Sequence, residues 1–138
     1  RAVELSPGNG AAWADFSYAT TLQVRSDPTQ AKSLGREAEA YANRALACSK
    51  VIPEFWVRRG VALDLRGRRV EGGGAFIEAL RLAPASAAIW YYQAFHLSLD
   101  PSEPGRALAA AAFCLRLDPG NHEAQALRQR LAERSRAP

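Results

Sequence analysis

Trp56 and Trp90 stand 34 residues apart, and the sequence around them recurs at that distance. Aligned on the two tryptophans, Ala79-Leu80-Arg81-Leu82-Ala83-Pro84 falls on Cys114-Leu115-Arg116-Leu117-Asp118-Pro119 with one inserted residue. A third copy starts at Trp13 and ends in Ala45-Leu46-Ala47-Cys48-Ser49-Lys50, so the 43 residues from Trp13 to Trp56 are one unit plus nine. Ala2-Val3-Glu4-Leu5-Ser6-Pro7 is a fourth copy of the ending, six residues ahead of Trp13 as Pro84 is ahead of Trp90. Such a unit cannot bury its apolar face alone and is stabilised by stacking on its neighbours. The chain therefore reads as a stack that begins inside a repeat.

The unit is helical. Ala supplies 28 of the 138 residues while Val, Ile and Thr together supply 12, an imbalance that favours helix over sheet. First helices are predicted over 10–24, 53–66 and 86–98, second helices over 28–49, 69–82 and 103–116, and a final helix over 120–134. Asp27-Pro28 supplies an N-cap and first-turn pair for the long second helix, which is predicted to absorb the nine extra residues. At this size about 68% of the unfolded surface disappears, enough for a core.

Within the best copy the spacing reads Trp56, Gly60, Leu63, Gly67, Gly72, Phe76, Ala79, Pro84. Small residues at Gly60 and Gly72 let two antiparallel helices approach, Trp56 and Phe76 fill the wedge beside them, and Pro84 stops the second helix. This pattern resembles the tetratricopeptide repeat (TPR), here as a fragment of a bacterial protein. The departures are Gly72 for the usual Ala, Leu63 for an aromatic, Ala94 and Ser17 for Gly, and Lys50 for Pro. The resemblance implies an all-α fold, a right-handed α-α superhelix of antiparallel helix pairs. It implies one domain over 1–138: a truncated tail over 1–7, repeats over 8–50, 51–84 and 85–119, and a polar capping helix over 120–138. Gln125, Arg128 and Gln129 stand in that cap where a further unit needs Trp and small residues.

Sites for chemistry are weakly signalled. Gly72-Gly73-Gly74 lacks the Lys-Ser/Thr of a phosphate loop and falls inside a helix by repeat register, so it reads as structural. His96 and His122 lie near no Cys or carboxylate pair at ligand spacing, and Cys48 and Cys114, 66 residues apart, read as small buried core residues. No nucleophile elbow appears, so no enzyme, cofactor or metal is expected. The longest apolar run, Ala107 to Leu115, has nine residues, far short of a span, and no membrane insertion is expected. Arg1 in place of Met, without an apolar leader, reads as the start of an excised domain whose targeting information is expected elsewhere, and leaves the compartment, cytoplasmic or periplasmic, open.

A net charge of +4 gives a basic surface. Its clusters, Arg58-Arg59 with Arg66, Arg68 and Arg69, and Arg128, Arg130, Arg134 and Arg136, are interspersed with Asp and Glu, so nucleic acid is not expected as a partner. In the family that the chain resembles, first helices line a concave groove for a peptide or protein segment. Carried over, the groove comprises Tyr18, Arg58, Asp64, Tyr91, Tyr92, Phe95 and Arg130, aromatics beside Arg as in interaction hot spots. The Lys and Asn that some members use to clamp a C-terminal carboxylate are replaced by Ala14 and Tyr18, which disfavours chaperone tails. The reading is a non-catalytic protein-interaction module, with self-association expected through the truncated N-terminal end. The alternative is the structural or assembly tail of a larger bacterial protein, such as a membrane protein of envelope polysaccharide assembly; a third reading is a regulatory appendage of an enzyme.

Overall fold

The alanine-rich segments close into helices whose ends are fixed by identifiable caps. The computed structural model describes residues 9–136, so the segment 1–7 lies outside the described residues. Among the described residues there are seven α-helices and no strand: α1 Gly10–Ser26, α2 Ala31–Cys48, α3 Pro53–Leu65, α4 Arg69–Leu82, α5 Ala87–Ser98, α6 Pro104–Leu117 and α7 His122–Arg136. Asn9, Ser86 and Asn121 accept from the backbone N–H three residues on, at 3.1, 3.3 and 2.9 Å, satisfying donors that a helix start leaves open. Pro53 and Pro104 occupy first turns, where the missing N–H costs nothing. Asp27 caps a 3₁₀ turn, Pro28–Gln30, that leads into α2.

The nine extra residues do not all lengthen α2. α1 has 17 residues against 13 in α3 and 12 in α5, while α2 has 18 against 14 in both α4 and α6. Sharing the insertion between both helices keeps the hairpin in step, because a helix lengthened alone would extend past its partner without a surface to bury against.

The chain divides into two units, one ending at Leu82 and one beginning at Ala83. In the first, α1 packs on α2, α3 on both, and α4 on α3. Close approach is achieved by small residues. Ser17 is buried where the repeat elsewhere has Gly60, and its hydroxyl donates to the Ala38 carbonyl over 2.8 Å, which satisfies a group that burial would otherwise leave unpaired. Gly60 lies under the ring of buried Phe76: a Cβ there would sit 2.7 Å from the ring. Between α3 and α4 the chain reverses at Gly67, whose φ of +79° is open to glycine without a steric cost. Gly67 N–H reaches Asp64 O and Arg68 N–H reaches Leu63 O, each over 2.9 Å, the paired bonds of a Schellman end.

In the second unit α5, α6 and α7 pack together around Ala94, Ala107, Ala110, Ala111, Leu127 and Leu131. Alanine dominates the α6 face because α5 and α7 both approach it. Cys114 is fully buried, and that burial, with Asp118 nearby, pushes its thiol up. Cys48, expected to be buried as well, is instead partly exposed at the end of α2, where the helix runs out before the next one covers it.

One bond recurs along the chain. The indole N–H of Trp56 donates to Lys50 O over 2.9 Å and that of Trp90 to Pro84 O over 2.8 Å, six residues back in both cases. Trp56 and Trp90 thus each anchor the turn that delivers their own helix. Lys50, which departs from the Pro of the pattern, still offers the required carbonyl.

Candidate functional site

First helices carry the aromatic and charged positions singled out in the sequence except Arg130, which lies on α7, and the positions fall in both units. In the first unit, Tyr18 projects from α1 with 43% of its surface exposed, and the Arg58 guanidinium of α3 lies over its ring, 4.4 Å from the centroid. A cation held on an exposed phenol is a surface that accepts a carboxylate and an apolar group together. Asp64, at the end of α3, is turned onto α4: a Cβ on buried Gly72 would lie 2.6 Å from its Oδ1.

In the second unit Tyr91, Tyr92 and Phe95 form one ring cluster on α5. Tyr91 contacts Tyr92 edge-on at 5.7 Å and Phe95 at 6.4 Å between centroids. Tyr91 and Tyr92 are half-buried, and Tyr91 packs onto the alanine core. Phe95 leaves 43% of its surface exposed. Arg130 is exposed on α7, which packs against α5 and α6.

Several interacting residues escaped the sequence reading. Glu39 is buried on α2 and pairs with Arg59 at 3.5 Å, with Arg66, and with Arg68 at 3.7 Å. Arg59 also donates to Asn43. The basic cluster of α3 and the following turn is therefore largely engaged within the fold. Its acidic partner lies 20 to 29 positions upstream, beyond any local spacing rule. Arg68 also holds Glu71 below the usual carboxylate range, first through their hydrogen bond. Phe16 forms a second aromatic cluster with Tyr41 at 5.6 Å and Trp13 at 6.2 Å, and Arg44 lies 4.7 Å over Trp13. Its exposed Phe16 is three residues from Trp13, a helical spacing that marked it as a neighbour of the core.

Gly72, Gly73 and Gly74 lie within α4, so their backbone N–H groups belong to the helix rather than to a phosphate cradle. Among the described residues no group of three His, Cys, Asp or Glu converges to hold a metal ion. Among the same residues no helix is long and apolar enough to cross a membrane.

No protein-family model and no curated protein matches the sequence. Solved structures do match the fold. The thermophilic TPR protein TTC0263 of Thermus thermophilus is 23% identical with a TM-score of 0.78, over 96% of this chain and 67% of that one. The first TPR of Spaghetti (RPAP3), solved with the HSP90 peptide SRMEEVD, is 13% identical with a TM-score of 0.65, over 90% of this chain and 96% of that one. The second TPR domain of human RPAP3, in complex with the HSP70 peptide SGPTIEEVD, is 13% identical with a TM-score of 0.66, over 90% and 98%. The chain has the tetratricopeptide-repeat fold.

Proposed function

We propose that this TPR-fold chain is a non-catalytic module that binds a peptide or protein segment through the groove-lining positions of its first helices. Its repeats run over 8–50, 51–84 and 85–119, with a cap over 120–138. Tyr18 and Arg58 serve in the first unit, where Asp64, turned onto α4, borders the surface rather than facing it, and Tyr91, Tyr92, Phe95 and Arg130 serve in the second. The observation that carries the reading is the ring cluster of α5, in which Tyr91 packs onto the alanine core while Phe95 stays 43% exposed. Aromatic rings already ordered against one another lose little conformational freedom on binding, and apolar area held in water is what a partner's side chain recovers. Arg58 on Tyr18 adds a charge-assisted bond for a carboxylate. The two RPAP3 domains, with the same fold, were solved with acidic peptides, which supports segment binding as the use of such a surface here.

The test is selection of peptides from a random display library on the folded chain, followed by mapping of the selected peptide by NMR. Shifts at Tyr91, Tyr92, Phe95 or at Tyr18 and Arg58 are expected. Failure to select any peptide, or shifts confined to second helices, would reject the reading.

A further inference from the structure

The seam between a second helix and the first helix that follows it is closed in the first unit and open in the second. In the first unit Gly35 of α2 lies on Ala62, Leu65 and Arg66 of α3, so closely that a Cβ there would sit 3.0 Å from the Leu65 and Arg66 side chains. α2 begins four residues before Gly35, and that extra turn buries Leu34. Buried Ala38 matches buried Ala107 in register, and Trp56 matches Gln125, the donors to Lys50 O and Pro119 O. The counterparts of Gly35, Ala62, Leu65 and Arg66 are therefore Pro104 of α6 and Leu131, Arg134 and Ser135 of α7. α6 starts at Pro104, so no helical turn stands where α2 carries its extra one. A cavity of about 200 Å³ opens there, which Ser98, Asp100 and Pro101 complete, and every residue lining it belongs to the second unit.

Its walls differ in kind. Leu131 is buried, and with the rings of Pro101 and Pro104 it gives the cavity its apolar surface. Arg134 brings a guanidinium from α7, and its Nη1 donates to Ser98 O, among the last carbonyls of α5, over 3.4 Å, which engages one corner of a group rich in N–H donors. Asp100 brings a carboxylate from the turn after α5, where its Oδ1 accepts from Ser102 N–H at 2.9 Å and from Ser102 Oγ at 2.6 Å. A simple anion would meet the carboxylate wall and a simple amine the guanidinium wall, each a like charge. We propose that this cavity binds a free α-amino acid with a branched aliphatic side chain, of which leucine is the type. The side chain covers Leu131 and the two prolines, taking the place that the extra turn of α2 holds in the first unit. The carboxylate meets Arg134 and the ammonium meets Asp100. Size agrees, since sites for drug-sized ligands run to roughly 300–1,000 Å³ and this one is smaller. None of these residues is a proposed groove position, so this site and segment binding stand or fall separately.

The probe is L-leucine, titrated into the full chain labelled with ¹⁵N and with ¹³C at its methyl groups. Shifts are expected at Leu131, Ser98 and Asp100. N-acetylleucine keeps the carboxylate, as the end of a peptide does, and leucinamide keeps the ammonium, as its start does. Each should bind at least about tenfold more weakly than leucine, and so should glycine, which lacks the side chain. Asp100→Asn should abolish the preference for leucine over N-acetylleucine, and Arg134→Gln the preference for leucine over leucinamide. That pairing of each charge with one analogue is a readout that general destabilisation does not produce. Ser135→Phe, at an exposed position on the rim, should fill the cavity and abolish binding, while Lys32→Ala should leave it unchanged. The proposal is overturned if leucine at about 10 mM moves no signal of the cavity, or if glycine binds as tightly as leucine. Equal binding of N-acetylleucine or leucinamide would assign the cavity to a peptide terminus and overturn it too.

Discussion

The side-chain amide of Gln125 donates to the Pro119 carbonyl over 2.8 Å, repeating at the start of α7 the bond that the Trp90 indole makes to Pro84 at the start of α5. Both donors stand six residues after the carbonyl they hold. A helix end leaves its last carbonyls without intrahelical donors, and this side chain reaches back to the turn that follows them. α7 therefore lacks the bulk of the repeat's tryptophan but keeps its hydrogen-bonding role, which an exposed helix can do with a smaller polar group.

Replacing the donor while keeping the shape should isolate the bond. Trp90→Phe keeps an aromatic ring against Phe113, and Gln125→Met keeps the length of the side chain without its N–H donor. The Gln125 change should cost about 0.5–1.5 kcal/mol in urea unfolding, with hydrogen exchange accelerating first in the turn before α7. The Trp90 change should cost more, because packing is lost with the bond.

Two glycines of the second repeat should respond with opposite signs. A methyl at Gly60 would meet the buried Phe76 ring at 2.7 Å, a side chain with no solvent side to swing into, so Gly60→Ala should destabilise by about 1–3 kcal/mol. A Cβ at Gly74 meets nothing within 4 Å in an exposed turn of α4, so Gly74→Ala should stabilise by about 0.5–1 kcal/mol. Thermal unfolding of the two variants beside the parent decides both.

Much of this was legible because the repeat constrains position by position. The separations of Trp, Gly and Pro predicted helices that the structure places within a few residues, since each is fixed by a local cap or stop. Residues singled out on one helix, Tyr91, Tyr92 and Phe95, are found in contact, because spacing along a helix fixes which side chains meet. Glu39 was not legible. Its arginines reach it across α2, α3 and the following turn, and only the close approach permitted by small residues such as Gly35 brings those backbones together. The sharing of the insertion between α1 and α2 was hidden for a related reason: length can be added to either helix without changing the local pattern.

Glu39→Gln should test that hidden cluster. It leaves Arg59 and Arg66, both partly shielded, without their carboxylate, and should cost about 2 kcal/mol, less than a fully buried pair because the arginines retain water. Glu37→Gln, on an exposed position of the same helix, should lie within about 0.5 kcal/mol of the parent.

Acid should weaken the chain through carboxylates held below their ordinary range. Asp27 is held low by hydrogen bonds from Thr29 and then Gln30, and Glu71 by its bond from Arg68. A depressed folded-state value means that the stabilisation is present at neutral pH and fades as pH falls through the folded value. The melting temperature should therefore be flat above about pH 5 and decline below about pH 4. Asp27→Asn, which keeps a capping oxygen, should make that decline shallower; an unchanged acid limb would remove Asp27 from the account.

The most direct test of the central claim is the affinity of a library-selected peptide for Tyr92→Ala beside Lys32→Ala, with both variants shown to be folded by circular dichroism. A half-buried ring within an ordered cluster is the anchor of the proposed surface, and its loss should cost about 2 kcal/mol or more, roughly a thirtyfold rise in Kd, while Lys32→Ala binds like the parent. Equal affinity of the parent and Tyr92→Ala would contradict segment binding by this face.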